Sequence, residues 1–91
     1  MKIRAHVFVE GKVQGVSFRY SVVRKAVEIG GLGGWVRNLE DGRVEIVVEG
    51  EKGNVDKLAE FCRKGPEKSV VKKIDIIEEK YTGEFAGFER R

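Results

Sequence analysis

The chain begins with alternating apolar and polar residues, and this alternation then changes to helical spacing. Every second residue from Ile3 to Val9 is apolar, which predicts a strand with one buried face. From Phe18 to Ile29 the apolar residues recur every three or four positions, which predicts an amphipathic helix. Gly30 and Gly31 are expected to end that helix, because glycine is common just past a helix C-terminus.

The rest of the chain predicts further strands around a second helix. Asp41-Gly42 is a strong hairpin signal, and the glycine-containing stretch 50–53 is expected to break the strand that follows the hairpin. Asn54 is expected to cap the second helix, and Gly65-Pro66 to end it. The predicted elements are strands over 34–38, 44–49, 70–79 and 85–90, and a helix from 54 to 64.

The order of these elements is βαββαβ, followed by a short β-strand. That order is typical of the ferredoxin-like α+β sandwich, in which two helices pack on one face of an antiparallel sheet. The last strand, over 85–90, is expected at an edge of the sheet. No linker, repeat or low-complexity tract divides the sequence, so residues 1–91 are predicted to form a single domain.

Composition narrows the class of protein. Apolar residues make up 41% of the chain and charged residues 36%, which is typical of a globular protein. No apolar run approaches the ~18 residues that a membrane span needs, and no apolar signal-peptide core is visible, so a cytoplasmic location without membrane partners is expected. The excess of Lys, Glu and Arg over amide side chains resembles the composition of thermophilic proteins.

Positive charge is concentrated in one part of the chain. The net charge is +3, but residues 11–37 carry five Lys or Arg side chains against Glu28 alone. Such a segment suits a small anionic ligand. RNA-recognition modules share the βαββαβ order, but they present aromatic rings on the sheet for base stacking. The predicted strand over 44–49 has no aromatic residue, so no nucleic-acid partner is expected.

The segment from Gly11 to Arg19 is the strongest candidate for a binding site. It joins the first predicted strand to the first helix and delivers Arg19 to the helix start. Backbone N–H groups in such a loop can converge on an anion, and the helix N-terminus adds partial positive charge. Arginine opposes the helix dipole there, and a bound anion would remove the conflict. The segment therefore predicts a phosphate or carboxylate cradle, the alternative being a turn with an exposed arginine.

The other reactive side chains do not form a catalytic centre. His6 is predicted to lie mid-strand on the polar face, and Cys62 lies on the apolar stripe of the second helix. Ser17 has no adjacent base to activate it. A cysteine-dependent phosphatase would need a thiol six positions before Arg19, where this chain has Val13, so a phosphocysteine intermediate is excluded. One cysteine and one histidine also cannot build a zinc site.

Arg19, the loop amides and a nearby side-chain amide can hold a phosphoryl group but supply no strong nucleophile or base. Such a set of groups can still catalyse phosphoryl transfer, because positioning and charge stabilisation dominate that reaction. It requires a leaving group that departs readily, such as the carboxylate of a mixed anhydride of a carboxylic and a phosphoric acid. Asn38 is either the amide that orients water or a turn residue before the hairpin. The second hypothesis is a non-catalytic domain that binds an anion with the same groups.

Two segments together resemble the signatures of the acylphosphatase family. Residues 11–19, GKVQGVSFR, resemble the first signature. Residues 34–38, GWVRN, continued by Gly42-Arg43-Val44 and Gly50, resemble the second. The length and the element order also agree, so the resemblance spans essentially the whole chain. The segment 88–91 is less typical, which leaves the packing of the last strand open.

This resemblance implies a ferredoxin-like fold and the hydrolysis of acyl phosphates by direct attack of water, without a metal or an organic cofactor. Arg19 matches the family's essential arginine, and Asn38 matches its essential asparagine, which orients the water. The substrate is a small-molecule acyl phosphate, and inorganic phosphate or sulfate is expected to compete with it. The family's phosphate-binding loop matches Gln14, Gly15, Val16, Ser17, Phe18 and Arg19.

Overall fold

The segments with alternating residues form strands, and the two segments with helical spacing form helices. The computed structural model describes all residues from 1 to 91. Neither helix has the length and apolar character needed to cross a membrane. In chain order the elements are β1 (Lys2–Lys12), α1 (Phe18–Ile29), β2 (Gly33–Asn38), β3 (Val44–Glu51), α2 (Lys52–Lys64), β4 (Val70–Glu79) and β5 (Phe88–Arg90).

The five strands form one sheet in the order β4-β1-β3-β2-β5, which confirms the ferredoxin-like α+β architecture. The pairs β1–β3, β1–β4 and β2–β3 are antiparallel. Residue contacts tie α1 and α2 to each other and to the strands. The apolar residues of β1 that alternate from Ile3 to Val9 are buried in one core with Phe18, Val22 and Leu58 from the helices.

The fifth strand departs from the expected antiparallel sheet. It starts at Phe88 rather than at residue 85, and it pairs with β2 in parallel. The cause lies in the strand order. β4 ends at the edge opposite to β5, at the end of the sheet where β2 begins. The irregular segment 80–87 therefore crosses the sheet and enters β5 in the direction of β2, which makes β5 an edge strand as expected.

The boundary between β3 and α2 also differs from the prediction. β3 continues through Gly50 to Glu51, and α2 begins at the next residue, Lys52. Gly50 stays in the strand because it pairs with Ile3, and a Cβ there would lie 2.8 Å from the carbonyl oxygen of Gly31. The glycine thus marks a close approach of backbones rather than a break. Asn54 lies inside the first turn of α2 and does not cap it.

The sheet face that the helices leave uncovered carries a network of charged side chains around two buried glutamates. Glu49, only 3% exposed, accepts hydrogen bonds from the hydroxyl and amide of Thr82, the amide of Gly83 and the guanidinium of Arg4. Burial by itself raises the pKa of Glu49, but these donors outweigh it and hold the pKa below its usual value. The hydrogen bonds from Thr82 and Gly83 to Glu49 hold the segment 80–87 against the sheet.

Glu45, the second buried glutamate, lies four residues before Glu49 on the same face of β3. It bonds to the His6 ring, with 2.6 Å between Nε2 and Oε2, and it accepts a hydrogen bond from Arg37. Burial raises the pKa of Glu45, and these two partners more than offset it, so the pKa lies below the usual value. His6 is therefore a structural residue, as predicted. Cys62 is only 1% exposed, which confirms it as a core thiol, and this burial raises its pKa to about 12.

Candidate active site

Three strands and one helix bring their ends together at one end of the sheet. β1, β2 and β5 run in the same direction, so their carboxyl ends lie at this end. The loop 13–17 leaves β1 here, and α1 begins here with Phe18. Asn38 is the last residue of β2, and Arg90 is the last residue of β5. The two sequence signatures, far apart along the chain, thus meet at one place.

The loop 13–17 and the first turn of α1 carry unpaired amide groups at this place. Gly15 and Ser17 both have left-handed backbone conformations, with φ of 73° and 62°. The N–H groups of residues 15–20 donate to no acceptor within the protein, and the first helical amide that does is Ser21, bonded to the carbonyl oxygen of Ser17 at 3.0 Å. No side chain caps α1, and its first turn has no acidic residue. This concentration of free donors at a helix N-terminus is suited to an anion.

Gln14 fastens the loop to the hairpin that follows Asn38. Its side-chain amide donates to the carbonyl oxygens of Leu39, at 2.7 Å, and of Arg43, at 3.0 Å. These are the carbonyls at the two ends of the β2–β3 turn. The side chain of Gln14 is therefore committed to the protein, and it fixes the loop relative to Asn38.

Arg19 is the second residue of α1, and its side chain is half-buried. Its Nη1 donates to the backbone carbonyl oxygen of Arg91 at 2.9 Å. No Asp or Glu carboxylate lies in salt-bridge range of this guanidinium, unlike those of Arg4 and Arg37. A planar guanidinium has five donors, so Arg19 keeps several of them for an anion.

Asn38 carries an unusual buried atom. Its Oδ1 is shielded from solvent and has no hydrogen-bond partner, and it is the one buried side-chain polar atom of the protein in that state. An unpaired buried acceptor costs free energy, so its presence calls for an explanation. A water molecule or a ligand group that donates a hydrogen bond would satisfy it.

These features surround one cavity of about 280 Å³. It brings together five of the predicted site residues, among which Phe18 has its ring in the core. Gln14 and Val16 lie outside the lining, since Gln14 is bound to the hairpin and Val16 packs against the core. The cavity is lined by Val13, Gly15, Ser17, Phe18, Arg19, Tyr20, Asn38 and Arg90.

The lining determines which chemistry the cavity can support. It contains two arginines and no Asp, Glu, His, Lys or Cys, so the lining offers no carboxylate, imidazole, amine or thiol as a general base. No group of three or more His, Cys, Asp or Glu side chains in the structure has an arrangement that could hold a metal ion. The cavity can therefore bind and stabilise negative charge, and it can position a water at Asn38.

Three residues of this lining, Val13, Tyr20 and Arg90, were not among the predicted site residues, and of these only Val13 lies in the candidate segment 11–19. Tyr20 directly follows Arg19 and is 55% exposed, and an aromatic residue on the polar side of a helix was a usable signal. Arg90 gave no such signal. It reaches the cavity only because β5 pairs in parallel with β2, with Arg90 opposite Val36.

Comparison with known proteins points to one family. A family model described as Acylphosphatase matches residues 5–90. An acylphosphatase of Roseiflexus sp. (strain RS-1) is 54% identical over 85 residues, which cover 93% of this chain and 90% of that protein. One from Methylococcus capsulatus is also 54% identical, covering 93% and 91%. The crystal structure of acylphosphatase from Bacillus subtilis superposes with a TM-score of 0.92 at 35% identity, covering 98% of each chain.

Proposed function

Because this chain belongs to the acylphosphatase family and hydrolyses acyl phosphates to a carboxylate and inorganic phosphate, we propose that the cavity between the loop 13–17, Asn38 and Arg90 is where it does so. The observation that carries this proposal is the pairing of free donors with a free acceptor. The amides of residues 15–20 have no acceptor, and Asn38 Oδ1 has no donor. An anion together with a water molecule supplies both.

In the proposed mechanism the loop and Arg19 bind the phosphoryl group. The phosphoryl oxygens accept hydrogen bonds from the amides of residues 15–20 and from the Arg19 guanidinium, while the helix N-terminus adds its dipole. Charge on these oxygens is redistributed as the bond to the carboxylate breaks. Donors that are already in position stabilise that charge without reorganising, which is the main source of rate in phosphoryl transfer.

Asn38 has a separate role, because it acts on the nucleophile. Its buried Oδ1 accepts a hydrogen bond from the attacking water and aims the water oxygen at phosphorus. Water attacks, the P–O bond to the acyl group breaks, and the electron pair leaves with the carboxylate, which needs no proton near neutral pH. The proton lost by the water goes to a phosphoryl oxygen, because the lining offers no carboxylate or imidazole to accept it.

Phosphate binding tests this assignment directly. Backbone amide signals of residues 15–20 should shift on titration with inorganic phosphate or sulfate, and both anions should inhibit benzoyl phosphate hydrolysis competitively. Turnover should also be unchanged by a strong chelator. Phosphate-induced shifts centred on another surface would overturn the location of the site. Loss of activity in chelator, restored by a divalent metal, would overturn the metal-free mechanism.

We further propose that the enzyme acts in the cytoplasm on free acyl phosphates, without a nucleic-acid partner. Cys62, the single thiol, is buried and unpaired, which suits a reducing compartment. Cell fractionation tests the location. Binding to RNA that persists at physiological salt would contradict the second part of the proposal.

A further inference from the structure

The arginines of this protein divide into two groups. Five of the eight form an ion pair with an Asp or Glu side chain: Arg4, Arg37, Arg43, Arg63 and Arg91. The three without such a partner gather at the cavity. Arg19 and Arg90 line it, and Arg24 lies over the ring of Tyr20, which also lines it, at 5.7 Å from the ring centroid. Uncompensated positive charge is thus collected where the substrate binds.

The phosphoryl group does not need all of this charge. The amides of residues 15–20 and the N-terminus of α1 have no acceptor or side-chain cap, and with Arg19 they provide enough donors for one phosphoryl group. The cavity has a buried inner part and a solvent-exposed rim. Asn38 Oδ1 is buried, whereas Tyr20 and Arg90 are exposed and form the rim. Because the loop holds the phosphoryl group, the acyl part of the substrate extends towards the rim.

We propose that Arg90 binds a carboxylate on the acyl group, so that the preferred substrates are acyl phosphates of dicarboxylic acids. Arg90 has no intramolecular partner to give up, and a guanidinium can hold a carboxylate through two parallel hydrogen bonds. This inference rests on the proposed function of the cavity, and it adds the class of acyl group. The parallel pairing of β5 with β2 holds Arg90 at the rim.

A matched pair of substrates tests the proposal. Benzoyl phosphate and 4-carboxybenzoyl phosphate differ by one carboxylate, which the rigid ring keeps from reacting with the anhydride. The values of kcat/KM for both should be measured in the wild type, Arg90→Gln and Arg90→Lys. Arg63→Gln serves as the control, because it removes the same charge from α2, outside the cavity. Ratios between proteins cancel the different intrinsic reactivities of the two substrates.

Arg90→Gln should lower kcat/KM for 4-carboxybenzoyl phosphate about tenfold more than it lowers kcat/KM for benzoyl phosphate. Arg90→Lys should recover part of the loss, and Arg63→Gln should show none. Equal losses on both substrates would assign Arg90 to the phosphoryl group and overturn the proposal, as would no loss at all. Failure of the wild type to hydrolyse either substrate would instead overturn the proposed function.

Discussion

Two polar regions of this protein differ in whether their hydrogen-bonding groups are paired within the protein. On the uncovered face of the sheet, Glu49 receives four hydrogen bonds, and Glu45 bonds to both His6 and Arg37. At the cavity, Asn38 Oδ1 has no partner and the amides of residues 15–20 have no acceptor. Both regions are polar and partly buried, so burial alone does not explain the difference.

The contrast separates groups that hold the fold from groups kept for a ligand. A buried polar group costs stability unless it is paired, so a folded chain pairs those that it does not otherwise use. Local rules of structure are most often broken at functional sites. The Glu49 network follows the rule and fastens the segment 80–87. The cavity breaks the rule, and its unpaired groups match those that a phosphoryl group and a water would satisfy.

The largest effect is expected from Arg19. Arg19→Ala should lower kcat/KM for benzoyl phosphate on the order of 10²–10³-fold, as removal of a key transition-state donor does elsewhere. Arg19→Lys should be nearly as damaging, because lysine keeps the charge but loses the planar fork. Steady-state kinetics measures both variants, with Arg63→Lys as the control for the chemical change. Near-normal turnover in Arg19→Lys would mean that local charge alone matters at this position.

Asn38→Ala should cost about a hundredfold in kcat, because the water loses its position. The inhibition constant of phosphate should hardly change, since Oδ1 serves the water rather than the phosphoryl group. Stability should not fall either, because the atom removed has no partner to lose. Asn38→Asp should in addition weaken phosphate binding, since a carboxylate would face a phosphate dianion.

The measurements for Asn38 are kinetics, phosphate inhibition and urea unfolding. Asn54→Ala, in the first turn of α2, is the matched control and should turn over normally. Normal turnover of Asn38→Ala would reduce the asparagine to a turn residue, and the water would then have to be held by the loop or by the substrate.

Glu49→Ala should show the reverse pattern. The amides of Thr82 and Gly83 would lose their acceptor, which should lower the free energy of unfolding by about 1–3 kcal/mol. The turnover of the folded enzyme should stay unchanged, because Glu49 is outside the cavity lining. Urea unfolding and kinetics on the same samples check both points. Glu51→Ala, an exposed glutamate of the same strand, should be close to neutral. A large loss of kcat in Glu49→Ala would show that the glutamate network also supports catalysis, and it would contradict the separation of the two regions.

Acid should weaken the glutamate network gradually. The pKa values of Glu45 and Glu49 are lower in the folded protein than in the unfolded chain, where a glutamate titrates near pH 4.3. Their contribution to stability is therefore complete above that pH and is lost as the pH falls through the lower folded values. Unfolding free energies measured from pH 7 down to pH 3 should fall less steeply in Glu49→Ala than in the wild type. Equal slopes would show that Glu49 does not contribute.

The sequence predicted best what depends on local pattern. The alternation over Ile3–Val9 and the helical spacing over Phe18–Ile29 correspond to β1 and α1, and the structure brings Arg19 and Asn38 to one cavity. What it could not predict depends on distant partners. The parallel pairing of β5 follows from the position of β4 at the far edge. The hydrogen bonds of Gln14 to the hairpin join residues that are 25 and 29 positions apart.

The placement of β1 has a consequence for how activity is acquired. β1 is made first, yet it lies between β3 and β4, which include residues 44–51 and 70–79. Such non-local pairing is slow compared with helix formation. The loop 13–17 directly follows β1, so it gains its geometry only when β1 has paired with both β3 and β4. During refolding, recovery of hydrolysis should therefore lag behind the helical signal and coincide with burial of the sheet.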